Sequence, residues 1–211
     1  MRLKYLAIFF APLLAISGAL AQTSIMLFDS FEQGKVYLHN HITTTAKLNY
    51  DAANSKMIYQ LDGNEMTLMN NHEIDSIIFR DSKFIPHGNI YLEVVNESKG
   101  DIFINWKLKE KPKGYQGAMG LTTQAKVESI DLSHITTKKN EISTAEITEL
   151  SNNNEYWFYQ QGKLIKCRNE RQLLKQFPQY RDQIREFIKQ ENINFKNPAD
   201  AIQLINYTLG L

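Results

Sequence analysis

The spacing of apolar residues changes once along the chain, near Asn169. Between Gly34 and about Val127, short runs alternate apolar and polar positions, are rich in β-branched and aromatic residues, and are separated by turn residues about every ten positions. Asp62-Gly63-Asn64 lies between two such runs and has the composition of a hairpin turn. The pattern predicts an antiparallel β meander of roughly nine to eleven strands, arranged as a sandwich or a half-closed barrel.

Two polar stretches interrupt the strand pattern. Residues 110–120 contain three glycines, and residues 136–154 end in three asparagines, so we expect a loop in each place. Tyr156-Trp157-Phe158-Tyr159 then resumes a strand, which turns and returns through residues 163–168. We expect both faces of this aromatic strand to be covered, by the sheet on one side and by helices on the other. The alternative is an outward aromatic face that stacks on a sugar or a peptide.

Beyond Asn169 the apolar residues recur with the 3.6-residue period of a helix. Asn169 can cap a first helix, Pro178 suits the first turn of a second, and Asn197-Pro198 begins a third that ends at Gly210. The pattern therefore predicts a mainly β, α+β fold in which about three short C-terminal helices pack on the sheet.

The first 21 residues have the organisation of a secretory signal peptide. Arg2 and Lys4 precede an apolar run, and Ala19-Leu20-Ala21 presents small residues at the cleavage positions. The apolar run is shorter than the roughly 20 residues that a spanning helix needs. We therefore expect an exported protein, periplasmic or extracellular and soluble after cleavage, with three segments: a signal peptide at 1–21, an antiparallel β domain at 22–168 and a helical segment at 169–211.

The two expected structural segments differ in charge. Residues 22–162 carry 13 basic and 18 acidic side chains, a net charge of −5, whereas residues 163–211 carry 9 basic and 5 acidic ones, a net charge of +4. The charges of the helical segment are mixed along its faces, which favours simple packing of this segment on the β domain. The alternative is a basic face that binds an anionic partner, such as lipid headgroups or an acidic glycan.

Candidate reactive residues are few. Cys167 is the only cysteine, so no internal disulfide forms, and we interpret it as a buried, inert thiol in a strand. His39 and His41 are two residues apart and could hold a metal with His72 or Glu73, but we interpret them as ordinary surface histidines. The glycines of residues 114–120 lack the Gly-Lys-Ser/Thr ending of a phosphate-binding loop. We assign no catalytic, cofactor-binding or metal-binding residue, and no cofactor.

Several short motifs are similar to those of exported β-rich envelope proteins of Gram-negative bacteria. In the β region the motifs are Phe31, Gly34–Leu38, Ala46–Asp51, Met57–Tyr59, Ile74–Ile77 and Phe84–Pro86. In the helical segment they are Phe177-Pro178, Ile184, Phe187–Lys189, Asn194-Phe195, Asp200 and Tyr207. The resemblance covers most of the chain beyond the leader. It implies no known activity, so no functional residue is carried over from it.

Three functions are compatible with these features. The first is a non-enzymatic binding or structural module of the cell envelope, with another envelope protein as a partner and no nucleic acid. The second is a carrier that holds a small apolar ligand inside a cupped sheet. The third is a hydrolase of envelope polymers, which predicts a cleft with paired carboxylates or a histidine beside a carboxylate. We expect the first.

Overall fold

The protein is built from one large antiparallel sheet followed in the chain by three helices. A computed structural model describes residues 24–69, 71–116, 122–123 and 146–211. The expected signal peptide at 1–21 lies outside the described residues. The predicted fold class, mainly β and antiparallel with three C-terminal helices, is confirmed. Within the described residues, none of the helices combines the length and the apolar character needed to cross a membrane.

Thirteen strands and three helices are described. The strands are β1 (Glu32–Leu38), β2 (Thr43–Asp51), β3 (Lys56–Leu61), β4 (Asn64–Thr67), β5 (Ile74–Phe79), β6 (Ser82–His87), β7 (Ile90–Glu97), β8 (Gly100–Asn105), β9 (Leu108–Gln116), β10 (Thr122–Thr123), β11 (Glu146–Asn152), β12 (Glu155–Gln160) and β13 (Lys163–Cys167). The helices are α1 (Glu170–Gln176), α2 (Arg181–Gln190) and α3 (Pro198–Leu209).

The large sheet is open and has the strand order β13-β12-β8-β7-β6-β5-β1-β2-β3-β4. It departs from a simple meander at two points. After β4 the chain returns to the other side of β1, where β5 pairs, and between β8 and β12 the chain forms a small sheet with the order β10-β9-β11. The sheet also curls. Its curvature brings β3 into contact with β7, although four strands separate these two in the sheet order.

The prediction of loops at 110–120 and 136–154 is wrong for part of each stretch. Residues 110–116 belong to β9 and residues 146–152 belong to β11, and these two strands pair with each other. The rest of both stretches, 117–120 and 136–145, lies outside the described residues, apart from 153–154, which form no strand. Lysine, glutamate, proline and glycine are depleted in strands. Because these residue types are frequent in both stretches, the sequence pattern did not predict β9 and β11.

The hairpin predicted at Asp62-Gly63 is confirmed. It joins β3 to β4 through a two-residue loop, in which Asp62 has a φ of 51° and Gly63 a φ of 80°. Two successive positive φ values define the turn whose twist matches that of the flanking strands, and glycine adopts such a conformation without steric cost.

Two clusters of buried side chains form the core. One lies inside the curl of β1 to β7, where the Tyr50 ring stacks on Phe84 at 5.5 Å and Phe84 stacks on Phe79 at 5.3 Å. The other lies between the helices and the strands β8, β12 and β13, and includes Ile104 and Tyr156. The two regions therefore bury their apolar side chains differently, the first within the curled sheet and the second beneath helices.

The starts of α1 and α3 follow from their capping residues, as predicted, whereas Pro178 begins a short 3-10 turn and α2 itself starts only at Arg181. The Asn169 side chain accepts a hydrogen bond from the Gln172 backbone N–H at 2.9 Å, and the Gln172 side chain accepts one from the Arg168 N–H at 2.9 Å. Asn197 caps α3 in the same way by accepting from Ala199 N–H at 3.0 Å. These bonds satisfy donors that a helix start leaves unpaired, so they determine where α1 and α3 begin.

Candidate functional site

A buried polar network links the two cores. The Tyr50 hydroxyl lies 3.1 Å from Asn105 Oδ1 and 3.2 Å from the Tyr91 carbonyl oxygen, and it can donate to either acceptor. Asn105 Nδ2 in turn donates to Glu155 Oε2 at 3.0 Å. Asn105 is fully buried, so each of these bonds replaces one that water would otherwise supply. The network ends at the Glu155 carboxylate.

Glu155 is a buried carboxylate shared by two cations. The residue is only 3% exposed. Its Oε1 atom accepts from Lys107 Nζ at 3.3 Å and pairs with Arg168 Nη2. Burial alone would raise the pKa of the Glu155 carboxyl, but the Asn105 hydrogen bond and the positive charges of Lys107, Lys166 and Arg168 hold the pKa below its ordinary value. Glu155 is therefore ionised at neutral pH and holds the two cations in place.

Strand register brings these residues together from distant parts of the chain. Glu155 is the first residue of β12 and is directly opposite Asn105, the last residue of β8. On the other side of β12, Tyr156 is opposite Cys167, which places Arg168 beside Glu155. The residues that determine the site thus lie at the ends of two strands, β8 and β12, and directly after the end of a third, β13.

A basic cleft of about 440 Å³ opens beside Glu155. It lies where β8 ends, β12 begins, the small sheet is attached, and the α2–α3 connection passes. Its lining residues are Lys107, Lys109, Asn152, Asn153, Asn154, Glu155, Tyr156, Arg168, Asn169, Phe195 and Lys196. Four cationic side chains face one carboxylate in this set, so the lining carries a formal charge of +3.

Two buried polar groups of the cleft, Asn154 Nδ2 and the Tyr156 hydroxyl, make no hydrogen bond of good geometry to any described residue, although the Asn154 side chain lies close enough to the Tyr156 hydroxyl to lower its pKa against the effect of burial. Asn154 is 4% exposed and Tyr156 is 1% exposed. The Asn154 amide has a defined orientation, because its Oδ1 accepts from the Lys107 backbone N–H at 2.8 Å, which leaves Nδ2 as a donor. Burial raises the pKa of Tyr156 to about 12, so its hydroxyl keeps its proton. An unpaired buried donor destabilises a fold by about 1–3 kcal/mol, and such groups call for an explanation.

The aromatic side chains of β12 alternate between its two faces. Tyr156 and Phe158 are buried beneath the helices, where the Tyr156 ring meets Phe195 edge to face at 5.4 Å. Trp157 and Tyr159 lie on the other face, and Tyr159 is 58% exposed. The prediction that both faces of this strand are covered is therefore wrong at Tyr159. No layer of helices covers that face there, because the described helices pack on the opposite one.

The histidines singled out in the sequence lie elsewhere. His39 Nδ1 is 3.9 Å from Asp75 Oδ1, and His72 Nε2 is 3.7 Å from Glu73 Oε1, all of these side chains being well exposed. Within the described ranges, no three His, Cys, Asp or Glu side chains come together in a way that could hold a metal ion.

Cys167 is a free, fully buried thiol whose pKa burial raises to about 12, and our interpretation of it as a buried thiol in a strand is confirmed.

Sequence analysis did not identify the residues of the basic cleft. Glu155, Lys107 and Lys196 are distant from one another in the chain, and each taken alone has the character of a solvated surface charge. The available signal was a charge at the end of a strand: Glu155 begins the aromatic strand, and Arg168 follows the strand that pairs with it. Register then decides whether such end residues meet.

Comparison with family models, with curated proteins and with solved structures found no significant match. The resemblance to exported β-rich envelope proteins stays a hypothesis that is based on sequence motifs.

Proposed function

We propose that this protein is a non-enzymatic binding module of the bacterial cell envelope, and that its basic cleft takes an anionic group of the ligand. One observation carries the proposal: two buried polar groups, Asn154 Nδ2 and the Tyr156 hydroxyl, make no well-formed hydrogen bond to any described residue, and both belong to the lining of a cleft with a formal charge of +3. A ligand oxygen would complete the hydrogen bonding of both groups.

The charge of the cleft supports an anionic rather than a cationic ligand. The Glu155 carboxylate already pairs with both Lys107 and Arg168. It is the only carboxylate among the described lining residues of the cleft, so the lining keeps a net positive charge. A guanidinium group has five N–H donors in a planar fork. Arg168 is 54% exposed at its side chain, so it can hold Glu155 with one edge and meet a carboxylate or phosphate with the other.

The state of Glu155 favours binding over acid–base catalysis. A general acid or base works best when its pKa lies near the operating pH. The pKa of Glu155 is instead lowered, because Asn105 and the surrounding cations outweigh the effect of burial. The hydrolase alternative predicts a second carboxylate or a histidine in the cleft, and the described lining residues include neither.

The apolar-ligand carrier receives less support than anion binding. The inside of the curled sheet is occupied by large side chains in contact with one another, among them Tyr50, Phe84 and Phe79. A carrier would need this space for its ligand.

The test is a calorimetric titration of the purified protein with citrate and with inorganic phosphate. We expect binding that weakens as the salt concentration is raised, because partly exposed charges are screened. Lys196→Gln should lower the affinity about three- to tenfold, since it removes one charge from the cleft wall. Lys189→Gln is the matched control: it removes an exposed lysine of α2 outside the cleft and should leave the affinity unchanged. Equal affinities for all three proteins, or no binding of either anion, would refute the proposal.

A further inference from the structure

We propose that the ligand is an acidic glycan that lies along β12, with the carboxylate of one sugar in the basic cleft and a neighbouring sugar ring stacked on Tyr159. This inference is conditional on the proposed function, and it names the class of ligand. It follows from the continuity between the cleft and the uncovered aromatic face of β12.

The cleft and the aromatic residues lie on one continuous strip. Glu155, Trp157 and Tyr159 alternate along β12 and share one face of the strand. Lys166 is directly opposite Trp157 on β13, and Arg168 lies beside Glu155. At a rise of about 3.3 Å per residue, the strip extends roughly 13 Å from Glu155 to Tyr159. A ligand that reaches both ends must therefore be an extended molecule, larger than a single small anion.

The Tyr159 ring is exposed and held in a defined orientation. Its side chain is 58% exposed, and the Phe103 ring supports it edge to face at a centroid distance of 6.0 Å and an interplanar angle of 82°. An aromatic ring offers an apolar face, and a pyranose offers a matching face of C–H groups. Leu164 is directly opposite Tyr159 on β13, and Lys166, two residues further along β13, places a cation beside this apolar surface.

Trp157 in the middle of the strip adds a further donor. Its Nε1 is buried and has no hydrogen-bond partner among the described residues. The Lys166 ammonium lies 4.9 Å from the centre of the Trp157 ring, and the His87 ring lies 5.0 Å away on a tilted plane. A small movement of the flexible Lys166 side chain would open the indole to a sugar hydroxyl while keeping a cation beside the ligand.

Charge complementarity selects acidic over neutral glycans. Lys166 and Arg168 follow one edge of the strip, and the cleft at its end carries a formal charge of +3. A glycan with repeated carboxylates could place one in the cleft and another near Lys166, whereas a neutral glycan would gain nothing from the net positive charge of the strip.

The experiment compares four probes by calorimetry on the purified protein: an oligogalacturonate, galacturonic acid, a neutral oligosaccharide of the same length, and vesicles of anionic phospholipid. We expect the oligogalacturonate to bind at least tenfold more tightly than either galacturonic acid or the neutral oligosaccharide. Tyr159→Ala should reduce the affinity for the oligosaccharide to that for the monomer and leave the monomer's affinity unchanged. Tyr159→Phe, which keeps the ring, should retain the wild-type affinity.

The outcomes separate this inference from the proposed function. If citrate, phosphate and galacturonic acid bind but the oligogalacturonate binds no more tightly than galacturonic acid, the glycan inference is wrong and the proposal of an anion-binding cleft stands. Binding to the vesicles in place of the oligosaccharide would also overturn it. If no anion binds, both proposals fail together. Leu61→Ala, which alters an exposed apolar side chain at the far side of the sheet, should change none of these affinities.

Discussion

Two regions of the molecule differ in the hydrogen bonding of their buried tyrosine and tryptophan side chains. The curled region consists of β1 to β7, and the helix-covered region consists of β8, β12, β13 and the three helices. In the curled region the Tyr91 hydroxyl donates to Asn71 Oδ1 at 2.8 Å. In the helix-covered region the Tyr156 hydroxyl has no partner among the described residues. The two tryptophans also differ: Trp106, which follows β8 and packs against both cores, donates through Nε1 to the Glu93 carboxylate, whereas Trp157 Nε1 has no partner among the described residues.

Under the proposed function, this difference separates polar groups that stabilise the fold from polar groups that bind the ligand. A buried donor that has a hydrogen-bond acceptor within the fold stabilises the fold. A buried donor without an acceptor, beside a charged cleft, lowers the stability of the free protein and forms a hydrogen bond only when a ligand supplies the acceptor. In the curled region the Ser55 hydroxyl also makes no hydrogen bond of good geometry to any described residue, but it does not line the basic cleft. Among the described residues, the buried aromatic donors without a partner are those of Tyr156 and Trp157, and both belong to β12, next to the proposed ligand.

The largest effect is expected from Gly34→Ala in the curled region. A Cβ atom at this position would lie 2.5 Å from Phe79 Cβ and 2.7 Å from Leu48 Cδ1, and neither strand can easily move away. We expect the free energy of unfolding to fall by about 3 kcal/mol, measured by urea denaturation. Gly210→Ala is the control, because its nearest neighbour is the flexible end of Lys99 and its φ is −88°. Equal stability of Gly34→Ala and the wild type would show that this packing is looser than described.

Glu155→Gln should have the next largest effect, in the helix-covered region. It removes the charge that holds Lys107 and Arg168 and should lower the free energy of unfolding by about 2 kcal/mol, less than for a fully buried pair because both cations are partly exposed.

The pH dependence of stability distinguishes Glu155 from a neutral structural residue. Because the folded-state pKa of Glu155 lies below its ordinary value of 4.5, its contribution is present above that value and is lost as the pH falls through the folded-state pKa. The wild type should therefore lose stability on acidification below about 4.5 faster than Glu155→Gln does, as measured by urea denaturation at several pH values. Parallel pH profiles for the two proteins would exclude this role of Glu155.

A matched pair of tyrosine substitutions tests the comparison directly. Tyr91→Phe removes a hydroxyl that donates to Asn71 and should lower the free energy of unfolding by about 1 kcal/mol. Tyr156→Phe removes an unpaired hydroxyl and should leave the stability unchanged or raise it slightly. Tyr156→Phe should nevertheless lower the affinity for citrate roughly fivefold, whereas Tyr91→Phe should not. The reverse order of stabilities would contradict the division between structural and functional donors.

The smallest effect is expected at Cys167. Because the thiol is fully buried and its pKa is raised to about 12, it should not react with a disulfide reagent at neutral pH until the protein unfolds. The absorbance of the released thiolate measures this. Rapid labelling of the folded protein would show that the core between the helices and strands β8, β12 and β13, to which Cys167 belongs, opens readily.

Much of the fold could be predicted from local sequence. The Asp62-Gly63 turn and the helix starts at Asn169 and Asn197 depend on a few adjacent residues, so their residue types were sufficient to identify them. The strands β9 and β11 could not be identified, since their residues have weak strand preference and pair with each other at a distance along the chain. The uncovered face at Tyr159 was missed because it depends on which side of the sheet the helices occupy.

The sequence by itself determined the change from strand to helix near residue 169 and the residues that cap the helices, because periodicity and capping act between neighbours in the chain. Only the tertiary structure decided that β5 returns beside β1, that Glu155 meets both Lys107 and Arg168, and that Asn154 Nδ2 and the Tyr156 hydroxyl make no well-formed hydrogen bond to any described residue. The physical reason is that register and strand order are determined by which buried surfaces fit together across the whole sheet. A cleft made from the ends of three strands exists only once that fit has been made.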